Sequence, residues 1–216
     1  MIEPKTYLDN LRRLLIRSEA VLQPAKQNAA AVLIPMVFGA DGAQIIYTRR
    51  SDWMSSHRGQ VAFPGGRFDR RDSSLLATAL RETHEEVGIA PHSVEVLGSF
   101  EGRETRASEI FVTPFVGVVH EPFELRPDPQ EVAEIFKVPL LALADRRYRG
   151  HHDWSRDGVA ARLPAILYNG QTIWGLTYEL TLRFLELSRR AQRLAGKGGR
   201  RSPRTVRPSI RNMIDG

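Results

Sequence analysis

At 216 residues, 42 % of them hydrophobic, the chain has the size for one domain with a buried core and an ordinary globular composition. It contains no cysteine, which excludes disulfides, cysteine-ligated metals and thiol catalysis. Its net charge of +6 is unevenly placed: in residues 195–216 Lys197, Arg200, Arg201, Arg204, Arg207 and Arg211 face only Asp215, so +5 belongs to that Gly/Ser/Pro-rich tail and +1 to the rest.

Residues 6–19 read as an amphipathic helix, with Leu8, Leu11, Leu15 and Ile16 at helical spacing, and Pro24 closes the region. Residues 29–38 are an apolar, β-branched run suited to a buried strand. Asp41-Gly42 turns the chain into a second strand, 44–49, to make a hairpin. A short extended piece, 60–63, ends in Pro64-Gly65-Gly66. From 74 to 87 the pattern is helical: Leu75, Leu76, Ala79, Leu80 and Thr83 mark the packed side, and Gly88 supplies the stop. Residues 94–100 and 110–119 read as strands joined by a polar loop, 101–109. Residues 136–144 hold a proline followed by a short apolar helix. Residues 165–168 read as the last strand, before a turn at Asn169-Gly170, and 174–194 as a long amphipathic helix. Strands with helices before, among and after them predict an α/β fold, with helices covering a mixed sheet. One domain is expected over 1–195, followed by a flexible basic tail over 196–216.

No stretch approaches the ~20 apolar residues of a membrane span. Residues 1–10 are polar and lack the apolar core of a signal peptide, so a cytoplasmic protein is expected. The six histidines include no His-Glu-x-x-His zinc spacing. The basic tail can meet phosphates through counterion release, which supports a nucleic-acid-binding alternative. It has no aromatic residue for base stacking, and nucleic acid is not the expected partner.

The chemistry concentrates in 65–89. Glu82, Glu85 and Glu86 stand at i, i+3 and i+4, so a helix places all three on one face while His84 points elsewhere. Exposed like charges at that spacing oppose a helix by only ~0.2–0.5 kcal/mol. In a shielded cleft at ~4 Å the repulsion approaches ~4 kcal/mol at an effective dielectric of ~20. A divalent cation reverses its sign, and carboxylates suit Mg²⁺. Arg81, four residues before Glu85, can hold that carboxylate. An isolated acidic helix face is ordinarily just solvated. Here it follows Phe63-Pro64-Gly65-Gly66, where glycines let backbone approach a ligand closely.

This segment resembles the Nudix box. Gly66, Arg81, Glu82, Glu85, Glu86, Gly88 and Ile89 match it. Asp72 stands where the box has its first Glu, the following spacer has eight residues rather than seven, and Thr83 replaces a hydrophobic residue. The resemblance implies an α/β/α sandwich with a mixed sheet and a loop-helix-loop catalytic motif, and hydrolysis dependent on Mg²⁺ or Mn²⁺. It implies Glu82, Glu86 and Glu85 as metal ligands, and Arg81, Glu82 and Glu85 as catalytic residues. The general base stays open among Glu82, Glu85 and acids outside the box such as Glu101 and Glu109. Asp69 fits a turn or cap.

Upstream, Thr48, Gly59 and Phe63-Pro64-Gly65-Gly66 are similar to the signature before the box in coenzyme A pyrophosphatases. That signature's arginine falls at Ser55, with His57 and Arg58 nearby. This resemblance implies a nucleotide substrate, coenzyme A, cleaved to 3′,5′-ADP and 4′-phosphopantetheine. Arg49, Arg58, Arg67, Gly65 and Gly66 are the expected substrate contacts, with Arg50, Arg103 and Arg106 as further candidates for the 3′-phosphate. Trp53 or Phe68 would lie along the pantetheine arm, and a homodimer is an allowed assembly. Alternatives within the family are ADP-ribose and dinucleoside polyphosphates.

Overall fold

Strand-forming and helix-forming segments alternate along the chain, and a computed structural model describes how residues 4–17, 28–40, 42–53, 58–105, 109–156 and 158–198 assemble. The first sheet contains β1 (Ala29–Gly39), β2 (Gly42–Arg50), β3 (Val61–Ala62), β4 (Gly65–Arg67), β5 (Val94–Ser99), β6 (Arg103–Glu104), β7 (Phe111–Val119) and β8 (Val132–Pro139). A second, three-stranded sheet contains β9 (Arg149–Arg156), β10 (Val159–Tyr168) and β11 (Gln171–Trp174). The helices are α1 (Pro4–Leu14), α2 (Leu75–Val87), α3 (Leu140–Ala144) and α4 (Gly175–Gly198). β1 is antiparallel to β2 and β4 and parallel to β7, so the main sheet is mixed.

β1 is apolar on both faces because both are covered. Ala31, Leu33 and Val37 face α2, with Leu75, Ala79 and Val87. Ile34 and Met36 face the opposite core, with Tyr7 and Leu11 of α1 and Phe184 of α4. β2 follows the same alternation: Ile45 and Tyr47 belong to the α1/α4 side, Ile46 to the α2 side. Helices on both faces of a mixed sheet make the expected α/β sandwich. No helix among the described residues is long and apolar enough to cross a membrane.

α2 has the boundaries that its residues predict. The Ser74 side chain accepts a hydrogen bond from the Ala77 amide at 3.1 Å, and Gly88, at φ +79°, donates its amide to the His84 carbonyl at 2.9 Å. Three other segments differ from expectation. The first helix stops at Leu14, not at 19, because Ile16 exchanges two 2.8 Å backbone hydrogen bonds with Ser99 of β5; residues 18, 19 and 24 lie outside the described residues. Residues 136–144 divide at Pro139, and the part before it belongs to β8, a strand the sequence pattern did not suggest. The expected strand 165–168 is the end of a longer β10 flanked by β9 and β11, and Trp174 closes β11 rather than starting α4. These strands carry many exposed polar residues, such as His151 and Arg162, so the apolar alternation that marks a strand is weak in them. α4 continues to Gly198, and 199–216, most of the predicted tail, lie outside the described residues.

A candidate active site between a glycine turn and a glutamate helix

The turn and the helix meet through two glycines. β4 pairs Val32 with Gly65 and Ala31 with Gly66, and the Leu33 amide donates to the Pro64 carbonyl at 2.9 Å. The turn is thereby laid against β1. Gly65 has φ +153°, and a Cβ there would lie 2.3 Å from the Ala31 carbonyl oxygen. A Cβ on Gly66 would lie 2.3 Å from the Glu82 carboxyl carbon. The absence of side chains lets the backbone come this near to the carboxylates. One direct contact results: the Gly65 amide donates to Glu86 Oε2 at 3.1 Å.

The three glutamates of α2 share a face but not an environment. The side chains of Glu86, Glu82 and Glu85 are 5 %, 17 % and 55 % exposed. Burial pushes the Glu86 carboxyl up to about 8, against the lowering effects of the Gly65 amide and of Arg50. Burial also raises Glu82, against the lowering effect of Arg81. Arg81 is the hub. Its Nη1 donates to Glu82 Oε1 and to Glu85 Oε2, each at 2.9 Å, while Nε and Nη2 grip Asp72 at 2.9 and 3.0 Å. Such a bidentate fork fixes the guanidinium in one orientation.

The departures from the box find their physical reasons here. Asp72, shorter than Glu, anchors Arg81 and also accepts from Thr78 Oγ1 at 2.8 Å and from the Asp69 amide at 3.1 Å. Arg81 holds its carboxyl below the usual range. Thr83 is fully buried where an apolar residue is usual, and its hydroxyl is satisfied by the Ala79 carbonyl at 2.6 Å. Asp69 accepts from the Arg71 amide at 2.8 Å and pairs with its guanidinium, a turn role.

Of the residues predicted from sequence, the structure brings together Gly65, Gly66, Arg81, Glu82, Glu85 and Glu86. Arg67 is exposed beside Gly66, and Arg58 is exposed; residues 54–57, Ser55 and His57 among them, and Arg106 lie outside the described residues. Arg49 points to the α4 side of the sheet, with Nε 3.4 Å from Glu134 and Nη1 4.0 Å from Asp52. Glu101 pairs with Arg183 of α4 and with Arg103. Glu109 lies in a turn of its own. Among the described residues no hydrogen bond or ion pair joins either acid to the α2 glutamates. Phe68 packs into the core beneath α2, whereas Trp53 is 89 % exposed.

Two further groups join the site, of which sequence reasoning did not name the first, Glu131. Glu131 stands close enough to raise both Glu82 and Glu86 by its charge. It is delivered by the segment before β8, which is pinned to the end of α2: the Arg126 amide donates to the Val87 carbonyl at 2.9 Å and the Asp128 amide to the Glu86 carbonyl at 3.1 Å. The Ser51 amide, just after β2, donates to the Glu131 carbonyl at 2.8 Å. Arg50, weighed from sequence only as one of several partners for a 3′-phosphate, sends Nη1 to 3.7 Å from Glu86 Oε1. Its signal was the β2 alternation, which puts Arg50 on the Ile46 side and Arg49 on the Tyr47 side.

The donor set fits a divalent cation that prefers oxygen. Three carboxylates, Glu82, Glu86 and Glu131, repel one another in a partly buried site, and a cation relieves that repulsion. Among the described residues no group of three His, Cys, Asp or Glu side chains is placed to hold a metal ion by itself; Glu82 and Glu85 turn toward Arg81, and Glu86 toward Gly65. Mg²⁺ is typically held by one or two carboxylates plus water and substrate phosphates, a requirement this arrangement suits.

A model of the NUDIX domain family matches residues 27–158. An uncharacterized Nudix hydrolase NudL of Yersinia enterocolitica is 43 % identical over 163 residues, 75 % of this chain and 82 % of that protein. A protein of the same name from Photorhabdus laumondii is 43 % identical over 151 residues, 68 % of this chain and 78 % of that one. Among solved structures, the NUDIX domain of Shewanella oneidensis NrtR complexed with ADP ribose matches with a TM-score of 0.49 at 17 % identity, covering 89 % of this chain and 99 % of that one.

Proposed function

The chain belongs to the Nudix family of hydrolases of nucleoside diphosphate derivatives, and on that premise we propose that it cleaves the pyrophosphate bond of coenzyme A. The products are 3′,5′-ADP and 4′-phosphopantetheine. The observation that carries the substrate is the continuity of two segments. The stretch from Thr48 through Gly59 to Phe63-Pro64-Gly65-Gly66, similar to the coenzyme A pyrophosphatase signature, ends in the two glycines that touch Glu86 and Glu82.

In this reading Glu82 and Glu86 hold the divalent ion, with Glu85 and Glu131 beside them. When bound, Mg²⁺ or Mn²⁺ neutralises phosphate oxygens and makes a water molecule more acidic. Arg81 orients Glu82 and Glu85 through Nη1, and Asp72 keeps Arg81 from turning away. Water attacks one phosphorus; a new P–O bond forms as the bridging P–O bond breaks, and a carboxylate oxygen of Glu82 or Glu85 takes the water's proton. Electrostatic stabilisation of the phosphoryl group carries most of the rate. Arg67, exposed beside Gly66, and Arg58, also exposed, meet the 3′-phosphate from the solvent side in this reading. Arg49 reaches substrate only by giving up Glu134 and Asp52.

The test is chromatography of coenzyme A and, separately, ADP-ribose after incubation with the full chain, with Mg²⁺, with Mn²⁺ and with chelator. Metal-dependent release of 3′,5′-ADP and 4′-phosphopantetheine, faster than ADP-ribose cleavage, is expected. Coenzyme A cleaved no faster than ADP-ribose rejects this substrate and leaves the family assignment standing.

A further inference from the structure

Among the described residues two arginines face the α2 glutamates, and they are built differently. Arg81 uses Nε, Nη1 and Nη2 in hydrogen bonds of 2.9–3.0 Å. Arg50 approaches Glu86 only to 3.7 Å, at Nη1, and its Nε is buried with no hydrogen-bond partner among the described residues. The other oxygen of Glu86 is taken by the Gly65 amide. A guanidinium installed only to neutralise Glu86 would close to hydrogen-bond distance and satisfy its buried donor.

The main chain that carries Arg50 is nevertheless fixed. Its amide donates to the Gln60 carbonyl at 2.9 Å, and the next amide, Ser51, donates to Glu131. Between Arg49 and Arg50 the register with β8 shifts, so that Arg49 opposes Glu134 while Arg50 opposes Val132. Such an irregularity re-aims a side chain at a site. Here it accompanies a divergence: Arg49 is paired with Glu134 and Asp52 on one side of the sheet, and Arg50 enters the carboxylate cluster on the other.

From this geometry we infer that Arg50 is an exchangeable counter-ion, which holds Glu86 until a divalent cation binds and then donates to the phosphate that arrives with the cation. Both partners of Arg50 change in that exchange. The cation takes over the charge of Glu86 and repels the guanidinium, and the incoming phosphate supplies acceptors for donors that Glu86 leaves unused. The inference rests on the family-level reading of the site and is independent of coenzyme A being the substrate.

The two halves of the exchange have opposite signs in measurement. Arg50→Gln in the full chain removes the competitor of the cation, so Mn²⁺ alone, followed by electron paramagnetic resonance without nucleotide, should bind about fivefold tighter. The same variant loses charge-assisted bonds to phosphate, so KM for the cleaved nucleotide should rise about 10- to 100-fold while kcat changes less. Arg50→Lys keeps the charge and should leave Mn²⁺ affinity near that of the parent, with only part of the KM loss restored. Mn²⁺ binding that is unchanged or weaker in a folded Arg50→Gln chain overturns the counter-ion half. A KM within twofold of the parent overturns the phosphate half. Should coenzyme A fail as substrate, the Mn²⁺ measurement still decides, because it contains no nucleotide.

Discussion

Glutamine in place of Glu86 keeps the side chain's shape and an acceptor for the Gly65 amide, but removes the charge. In the folded chain burial moves the Glu86 carboxyl up to about 8, whereas its ordinary value is 4.5. Below about pH 4.5 the group is protonated in both folded and unfolded chains and contributes no pH dependence. Between 4.5 and about 8 the unfolded chain has released the proton and the folded chain retains it, so the folded chain binds more protons and its stability falls as pH rises. Above about 8 the loss is complete. At ~1.4 kcal/mol for each unit of difference, the full loss is about 4–5 kcal/mol. E86Q escapes it, and the attraction of Arg50 needs no separate subtraction because it already lowers the folded value. The expectation is a variant about 4 kcal/mol more stable than the parent at about pH 9 in chelator. The advantage should vanish at about pH 5, where the folded parent also carries an uncharged side chain at 86. Denaturant unfolding at both pH values measures it. Parallel pH dependence in parent and E86Q would refute the buried-carboxylate reasoning. With Mg²⁺ present the order should invert, since the ion stabilises only a chain that binds it.

The other predictions concern the groups around that carboxylate. Asp72→Asn removes the anionic end of the Arg81 fork and should destabilise the chain by about 1–3 kcal/mol at neutral pH. Because the folded Asp72 carboxyl is held low by Arg81, that stabilisation is present above its ordinary 3.8 and is lost as pH falls through the lower folded value; thermal melts from neutral to acidic pH should show the two chains converging. Gly66→Ala drives a Cβ into the Glu82 carboxylate and should cut kcat by about 100-fold or more, with a smaller change in the melting temperature. An unchanged kcat would show that the position of Glu82 is not critical. Glu131→Gln should weaken Mn²⁺ binding about tenfold in the absence of nucleotide, and equal binding would remove Glu131 from the metal site.

Much of the site could be read along the chain because its key relations are local. Ser74 and Gly88 bound α2 by hydrogen bonds three and four residues away. The i, i+3, i+4 spacing puts Glu82, Glu85 and Glu86 on one face whatever the rest of the fold does. The paired glycines announce a close approach before its target is known. The apolar run of β1 and the turn into β2 are of the same kind, and with them the α/β class. By contrast, β8, β9 and β11 are carried by pairing partners rather than by their own hydrophobic pattern, and sequence reading missed them.

Tertiary structure alone decided which of the three glutamates is buried, and which distant groups surround it. Periodicity treats Glu85 and Glu86 alike, but the sheet and the Gly65 turn cover only Glu86, and burial is what raises its carboxyl. Arg49 and Arg50 are equivalent in composition, yet alternation along β2 and its pairing with β8 send them to opposite faces. Glu131 reaches the site because its segment is hydrogen-bonded to the end of α2 and to the end of β2. Helical spacing follows from the backbone's own repeat, and residues close in sequence can announce it. Contacts between a helix, a turn and two strands depend on the order in which strands pair, which is settled only when the whole sheet closes its hydrogen bonds and buries both of its faces.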